Sequence, residues 1–178
     1  MKNNASKFTT TQICSIALFM ALVCISTLFF KVPIPLGYAH LGNGFIFLAS
    51  VFLGNPGGII CAGIGSALAD MFGGWYAWII PTLITKSLMG GVVSWIACGK
   101  DGKAKILSFK TAIALLTGTV VMVLGYFIGG SILEGSIVAG AAQIPGLVGE
   151  DIAGIILFYV LGIGLEKAGA YKLLHGRQ

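Results

Sequence analysis

The sequence predicts an all-α integral membrane protein, a bundle of six transmembrane helices with both termini in the cytoplasm. The composition is the first reason. Of the 178 residues, 57% are hydrophobic and 10% are charged, whereas a soluble domain has about 25% charged residues. The second reason is the recurrence of apolar segments near the ~20-residue length that crosses a bilayer. The third is that basic residues collect in alternate connecting segments. The length suits a single membrane domain over residues 1–178.

Six apolar segments predict the helices. They cover residues 12–30, 45–53, 59–72, 75 or 78–98, 111–130 and 144–165. The second segment is short, and the "GNPGG" that follows it either separates two helices or kinks one broken helix. Glycine, alanine and serine are frequent in the second and third segments, which is typical of helices that pack closely in lipid.

The distribution of basic residues favours six spans over five. With six spans, both termini and the 99–110 loop share one face, which has nine basic residues, and the opposite face has Lys31. Basic residues accumulate in cytoplasmic segments, and five spans would place the termini on opposite sides and remove this bias. The nine are Lys2, Lys7, Lys100, Lys103, Lys105, Lys110, Lys167, Lys172 and Arg177.

Several kinds of site are not predicted. No basic run alternates with aromatic residues, so no nucleic-acid partner is expected. No GxxxxGK[ST] sequence occurs, so the chain has no phosphate-binding loop for ATP hydrolysis of its own. The cysteines lie singly in apolar segments and are predicted to be small buried side chains, so no metal or cofactor is expected. They are Cys14, Cys24, Cys61 and Cys98.

Lys86 lies near the middle of the fourth predicted helix. A lysine at the bilayer centre costs roughly 2.5–3.5 kcal/mol on insertion scales, so such residues face the bundle interior and usually have partners. The candidate partners are the carboxylates of Asp70, Glu150 and Asp151. A structural ion pair and a contact to a ligand remain alternative roles for Lys86.

One face of this helix has the groups that a binding site needs. Trp78, Thr82 and Lys86 recur every four residues and therefore stack on one side. An aromatic ring, a hydroxyl and an ammonium suit a small polar ring compound, since the ring stacks and the polar groups fix its orientation. Trp78 has an alternative role with Trp75 and Tyr76 in the aromatic belt of the membrane interface.

The other candidate binding residues fall in the outer half of the six-helix topology. Adjacent helical residues diverge by about 100°, so at most one of Glu150 and Asp151 points fully into a cavity, and Glu150 is preferred. His40 has a solvated side chain as its alternative role. The glycines and prolines of the first outer loop, residues 31–43, suggest a lid over an outward cavity. The candidates besides the helix-four face are Glu150, Asp70, Tyr126, Asn43 and His40.

Ala17 and Ala21 in the first predicted helix are small residues four positions apart. Such a pair makes a flat strip where another helix can lie close. Packing within the chain and docking of a separate subunit both remain possible uses of this strip.

With these features the chain resembles the substrate-binding subunits, called S components, of energy-coupling factor (ECF) vitamin transporters. The resemblance covers nearly the whole chain and is carried by the AxxxA pair, "HLGNGFIFLASVFLGNPGGIICAGIGSALADMFGG", "PTLITKSLMGG" and "IPGLVGEDIAGIILFYVLG". The second and third of these motifs look like the branch that carries vitamin B6 or thiamine-precursor hydroxymethylpyrimidine. Pantothenate or another vitamin is the alternative.

The resemblance implies a multi-pass subunit of a prokaryotic plasma membrane that binds a vitamin in an outward pocket. It implies docking, through Ala17 and Ala21, on a transmembrane coupling subunit driven by two cytoplasmic ATPases, so the chain itself is not expected to be an enzyme. Where related subunits often have an asparagine and a glutamine, this chain has Leu147 and Glu150, which favours a donor-rich or cationic ligand.

Two other classes of function are alternatives to this one. A membrane-embedded enzyme would use Lys86 with Glu150 or Asp70, and it would need a recognisable nucleophile, base or metal set. An autonomous secondary transporter would have polar groups through both halves of the membrane, often with inverted repeats. The predicted inner half is too apolar for such a transporter.

Overall fold

The computed structural model describes residues 8–34, 37–99 and 104–175. The first helix, α1, is followed by a small antiparallel hairpin, β1 and β2, and then by the other helices. A 3₁₀ turn at Tyr76–Trp78 leads into α4. The bounds are α1 Thr10–Phe29, β1 Lys31–Ile34, β2 Gly37–His40, α2 Gly42–Leu53, α3 Gly57–Gly73, α4 Ile79–Cys98, α5 Phe109–Leu133, α6 Ile137–Ala142, α7 Ile144–Lys167 and α8 Ala170–His175.

The structure is that of an all-α membrane protein with one small hairpin. Among the described residues, four helical segments are long and apolar enough to cross a membrane. They are Thr10–Phe29, Tyr76–Cys98, Phe109–Leu133 and Ile137–Lys167. The apolar helices α2 and α3 have 12 and 17 residues, and at about 1.5 Å per residue both are shorter than the ~30 Å hydrocarbon layer. The six-span count therefore stays a prediction. Of the basic residues on which the predicted orientation depends, Lys2, Lys7, Lys100, Lys103 and Arg177 lie outside the described residues.

The "GNPGG" segment separates two helices, so the kinked single helix considered from the sequence is wrong. A Cβ built on Gly58 would lie 2.8 Å from the Cα of Ser50. In one continuous helix, residues eight positions apart would be about 12 Å apart. The chain instead turns at Gly54, which has a φ of 64°, a conformation that glycine adopts without steric cost. As a result, α3 runs back along α2.

The α2 helix lies at the centre of the bundle. Every residue from Gly42 to Phe52 except Phe45 is buried, and the helix contacts α1, α3, α4, α7 and α8. Its ring Phe47 meets Phe158 of α7 edge to face, with the centroids 6.4 Å apart. Because protein surrounds α2 on all sides, it does not need the length of a lipid-facing span.

The two connections near the Trp78 end of α4 are more ordered than the sequence predicts. In the first, β1 and β2 place Lys31 opposite His40 and contact α1 and α7, although no alternation of polar and apolar residues predicted strands there. In the second, residues 131–143 lie between the fifth and sixth predicted helices and were therefore expected to form a loop. This expectation is wrong. The α5 helix continues to Leu133, and α6 begins where the Ser136 side chain accepts a hydrogen bond from the Ala139 N–H (3.3 Å), an N-cap interaction.

The opposite end of the bundle is closed around Tyr171 of α8. Its ring lies 4.7 Å from that of Phe52, between centroids. Its hydroxyl donates a hydrogen bond to the carbonyl oxygen of Val51 (3.0 Å) and accepts one from the Ala104 N–H (3.3 Å). Burial raises the pKa of the Tyr171 hydroxyl, so the proton needed for the bond to Val51 stays in place. The end of α2 is thereby tied to the connection between α4 and α5.

Candidate substrate-binding site

Lys86 is the centre of a buried polar cluster inside the bundle. Its side chain is 1% exposed. The ammonium Nζ lies 2.6 Å from Asn43 Oδ1, 3.3 Å from Glu150 Oε1 and 3.1 Å from the sulfur of Met122. These contacts join α2, α4, α5 and α7 at one point. The predicted pairing of Lys86 with Glu150 is therefore present in the structure.

Asn43 connects this ion pair to a second carboxylate. Its Nδ2 donates to Asp151 Oδ1 at 2.6 Å, while its Oδ1 accepts from Lys86. Only this orientation of the amide gives the ammonium an acceptor and the carboxylate a donor. Asn43 and Asp151 are both fully buried, at 0% exposure. The cluster therefore extends from α4 across α2 to both acidic residues of α7.

The close approach of α7 to α2 brings these groups together. A Cβ built on Gly154 would lie 2.9 Å from the Cβ of Asn43 and 3.1 Å from the backbone nitrogen of Gly44. Gly154 therefore leaves room for the first turn of α2, which a larger side chain would fill. Glu150 and Asp151 lie about one helical turn before Gly154, so they face the same first turn.

His40 reaches the cluster from the hairpin. Its ring is buried, so the solvated role considered from the sequence is wrong. The Nδ1 atom accepts a hydrogen bond from the Gly42 N–H (3.1 Å), which leaves the ring proton on Nε2, and Nε2 lies 3.4 Å from Glu150 Oε1. Burial, and secondly the positive charge of Lys86, lowers the pKa of His40 well below its usual range. His40 is therefore a neutral donor toward Glu150.

Two aromatic side chains lie next to the cluster. The rings of Trp78 and Tyr126 are 5.8 Å apart between centroids, and the Tyr126 hydroxyl donates to Thr82 Oγ1 at 3.1 Å. Lys86 Nζ lies 5.2 Å from the centroid of the Tyr126 ring, within cation–π distance. The predicted face of helix four is thus present, with Thr82 buried and Trp78 partly exposed.

Gln143, which sequence reasoning did not select, borders the same aromatic pair. Its side chain is buried, and among the described residues its Nε2 has no hydrogen-bond partner. A Cβ built on Gly130 would overlap this nitrogen and would lie 3.4 Å from the ring of Trp78. The side chains of Gln143 and Trp78 therefore both lie beside Gly130, and the amide N–H groups of Gln143 offer hydrogen-bond donors beside an aromatic face.

The structure also shows which predicted residues do not join the cluster. Asp70 is buried near the end of α3, but none of the hydrogen bonds of Lys86 in the described chain goes to it. Asp151 was a candidate partner of Lys86 but not a candidate binding residue, and Met122 was not considered; both contact the cluster. Glu150 and Asp151 are adjacent on the helix, yet both join the cluster because each contacts a different partner. Glu150 contacts Lys86, and Asp151 contacts Asn43. The feature of the sequence that points to Asp151 is that two adjacent carboxylates lie within an apolar segment.

The strip of Ala17 and Ala21 lies on the surface. Both alanines are exposed, and the larger side chains of Ile13, Leu18 and Ile25 on α1 are also exposed. Packing of this strip inside the chain, the alternative considered from the sequence, is therefore wrong for the described residues.

Comparisons with known proteins confirm the resemblance to ECF S components, while the vitamin B6 or hydroxymethylpyrimidine branch stays a prediction. The family model described as the S component of an ECF-type riboflavin transporter matches residues 7–167. A relative from Pyrococcus woesei is described as an uncharacterized protein in a gap 3′ region. It is 34% identical over 148 residues, which are 82% of this chain and 95% of that protein.

In the part of the chain that the structure describes, no group of three or more histidine, cysteine or acidic residues is placed to hold a metal ion.

Proposed function

Because the chain belongs to the S component family of ECF-type riboflavin transporters, we propose that it captures a small ring-containing vitamin in a pocket open to the outside of the cell. Membership of this family makes the chain a substrate-binding, multi-pass membrane subunit of a transporter and not an enzyme. Family membership therefore argues against the membrane-embedded enzyme predicted as an alternative from the sequence.

One observation supports the binding site above all: a partly exposed aromatic pair lies directly beside a buried cluster of charged groups. In the proposed complex the vitamin ring stacks on Trp78 and Tyr126. Thr82, Gln143 and the outer atoms of the Lys86 cluster then supply the few directed polar contacts that fix a small ligand. Glu150, Asn43 and His40 hold Lys86 in place or contact the ligand themselves. Asp70 makes none of the hydrogen bonds of Lys86, and its part in binding stays a prediction.

Two candidate kinds of vitamin are proposed, in the order in which they should be tested. Riboflavin is the first compound to test, because the description of the matching family names it. A vitamin B6 vitamer or hydroxymethylpyrimidine is the second. Glu150 and Asp151 support it, since buried carboxylates accept hydrogen bonds from ring substituents and from protonated ring nitrogens. Pantothenate carries its own carboxylate, so these acidic groups disfavour it.

Delivery of the vitamin is proposed to need partner subunits. The exposed strip of Ala17 and Ala21 on α1 is proposed to be the face that docks on a transmembrane coupling subunit. Two cytoplasmic ATPases would supply the energy, because the sequence has no phosphate-binding loop. Small side chains let the backbones of two helices approach in lipid. The setting is proposed to be a prokaryotic plasma membrane.

The topology proposed for this function has six spans, with α2 and α3 as the second and third, and both termini in the cytoplasm. The basic residues of the 99–110 segment and of the termini support this orientation. It places the hairpin, Trp78 and α6 outside and Tyr171 inside. Reporter fusions after Gly99 and after Gln178 test it, because both should report the cytoplasmic side, and an external signal from either would contradict it.

The function is tested by binding of defined vitamins to the purified protein. Riboflavin, pyridoxine, pyridoxamine, 4-amino-5-hydroxymethyl-2-methylpyrimidine and pantothenate are titrated separately by calorimetry, and compounds retained through purification are identified by mass spectrometry. High-affinity binding of one ring vitamin is the expected result. If none of the ring vitamins binds to the folded protein, or if pantothenate alone binds, the proposed function is wrong.

A further inference from the structure

We propose that this site selects a vitamin that has a positive charge on its ring or on a substituent of the ring, and that binding of such a cation releases one proton from the cluster. This inference rests on the proposed function and names the charge class of its ligand. It follows from the charges that the structure buries together.

The buried cluster contains two carboxylates and one ammonium. Glu150 and Asp151 are 3% and 0% exposed, and Lys86 is 1% exposed. Lys86 pairs with Glu150, whereas the hydrogen-bond partners of Asp151 among the described residues are both neutral, the amide of Asn43 and the hydroxyl of Thr119. With both carboxylates ionised, the cluster therefore has one negative charge more than it has positive charges.

Among the residues that the structure describes, no neighbouring group on the packed elements supplies the missing positive charge. His40 on β2 accepts the Gly42 N–H at Nδ1, so its ring is a neutral donor to Glu150 and not a cation. The α5 helix contributes Met122 and the uncharged phenol of Tyr126. Lys31 lies opposite His40 in the hairpin and its charge acts weakly on that ring, but its side chain is exposed, where solvent and salt reduce its effect on the buried carboxylates.

A second buried carboxylate beside a single ammonium is expensive, because desolvation of an ion costs several kcal/mol and neutral hydrogen-bond donors offset only part of it. Either of two species offsets it: a proton on one of the carboxylates, or the cationic group of a ligand. When the ligand brings its own positive charge, the proton is no longer needed and leaves to the solvent. The total charge of the cluster is then the same before and after binding, because one cationic group enters and one proton leaves.

A matched pair of ligands tests the charge preference. Pyridoxamine has a cationic aminomethyl group where pyridoxine has a neutral hydroxymethyl group of similar size. We expect calorimetry to show at least tenfold tighter binding of pyridoxamine, and release of about one proton when the titration is repeated in buffers of different ionisation enthalpy. The proton count uses the unmodified protein, so it does not depend on whether any variant folds.

Variants then assign the preference to the cluster. In Asp151→Asn the preference for pyridoxamine should fall below about twofold and proton release should disappear. Glu150→Gln, which removes the other carboxylate, should lower the preference in the same direction. Glu134→Gln is the matched control, because Glu134 is an exposed carboxylate after α5, and it should keep both the preference and the proton release.

The outcomes separate this inference from the proposed function. If riboflavin or pyridoxine binds as tightly as pyridoxamine or more tightly, without proton release, the charge inference is overturned and the vitamin-binding function stands. Equal preference in Asp151→Asn and in the unmodified protein also overturns the inference. Failure of all ring vitamins to bind contradicts the proposed function itself.

Discussion

Asn43 of α2 and Lys86 of α4 are joined by a 2.6 Å hydrogen bond between the amide oxygen and the ammonium, in the interior of the bundle. The same amide donates to Asp151, so one side chain is shared by a cation and an anion. The first turn of α2 therefore fixes the positions of groups from α4 and α7, and substitutions of Lys86 should affect all three helices.

Replacing Lys86 by methionine should weaken vitamin binding by tenfold or more, about 1.4 kcal/mol. The change removes the ammonium and leaves Glu150 without its cation. Calorimetry on the purified variant measures the effect, and Lys105→Met, at an exposed position, is the control that should bind normally. A folded Lys86→Met protein with unchanged affinity would show that Lys86 has no part in binding.

Replacing Trp78 by leucine should also weaken binding by about tenfold, because the ring that stacks beside Tyr126 is lost. Trp95→Leu is the matched control, since Trp95 lies on α4, into which the turn with Trp78 leads, but is 73% exposed. Titration of the vitamin against each variant gives the comparison. Equal affinities of the two variants would place Trp78 in the interfacial belt and outside the site.

His40 should make stability depend on pH. An unfolded histidine has a pKa of about 6.5, and the folded protein holds the pKa of His40 below its usual range because the ring is buried. Below about pH 6.5 the unfolded chain therefore takes up a proton that the folded chain does not, so the free energy of unfolding falls as the pH falls. The loss amounts to at most about 1.4 kcal/mol per pH unit.

The comparison with His40→Gln isolates this contribution from that of the carboxylates. Thermal unfolding in detergent at about pH 7.5 and about pH 5.5, on either side of the histidine value, should show a larger loss of stability in the unmodified protein than in the variant. An identical loss in both proteins would mean that His40 is charged in the folded state.

Ala17→Trp should abolish vitamin transport while leaving vitamin binding intact. Both alanines of the strip are exposed, and a bulky ring there prevents close approach of a partner helix. Uptake is measured in cells that also express the coupling subunit and ATPases, and binding is measured on the purified subunit. Val160→Trp, at another lipid-facing position that is 67% exposed, should transport normally; transport by Ala17→Trp would assign the docking surface elsewhere.

Tyr171→Phe should lower stability by about 1 kcal/mol without a change in vitamin affinity. The variant keeps the ring contact with Phe52 but loses the hydroxyl between Val51 and Ala104, a net loss typical of hydrogen bonds in proteins. Chemical unfolding and calorimetry measure the two quantities. A loss of affinity comparable to the loss of stability would mean that the closed end and the binding site are energetically coupled.

The sequence was sufficient to predict the helices that face lipid and the residues of one helical face. Long apolar segments and the period of Trp78, Thr82 and Lys86 are local signals, and the structure has them where they were expected. The start of α2 at Gly42 could not be predicted in this way, because the residues before Phe45 are glycine, asparagine and leucine in a glycine-rich segment.

The contact of Asp151 with Asn43 and the position of Gln143 could not be predicted, because both depend on contacts between distant segments. Asp151 meets Asn43, 108 positions away in the chain, only because Gly154 lets α7 approach α2. Gln143 meets Trp78 because α6 forms in a segment that appeared to be a loop. Neither event leaves a periodic pattern in the residues themselves.

The enclosed position of α2 has a consequence for how the protein is made. A newly synthesised segment of 12 residues is shorter than the ~20 that a bilayer retains by itself, and it carries Asn43 and Ser50. Its stable residence in the membrane therefore requires neighbouring helices that arrive later, including α7, which is synthesised more than 100 residues afterwards. The binding cluster therefore cannot assemble before α7 has been synthesised, and a chain truncated before α7 should be a substrate for membrane quality control.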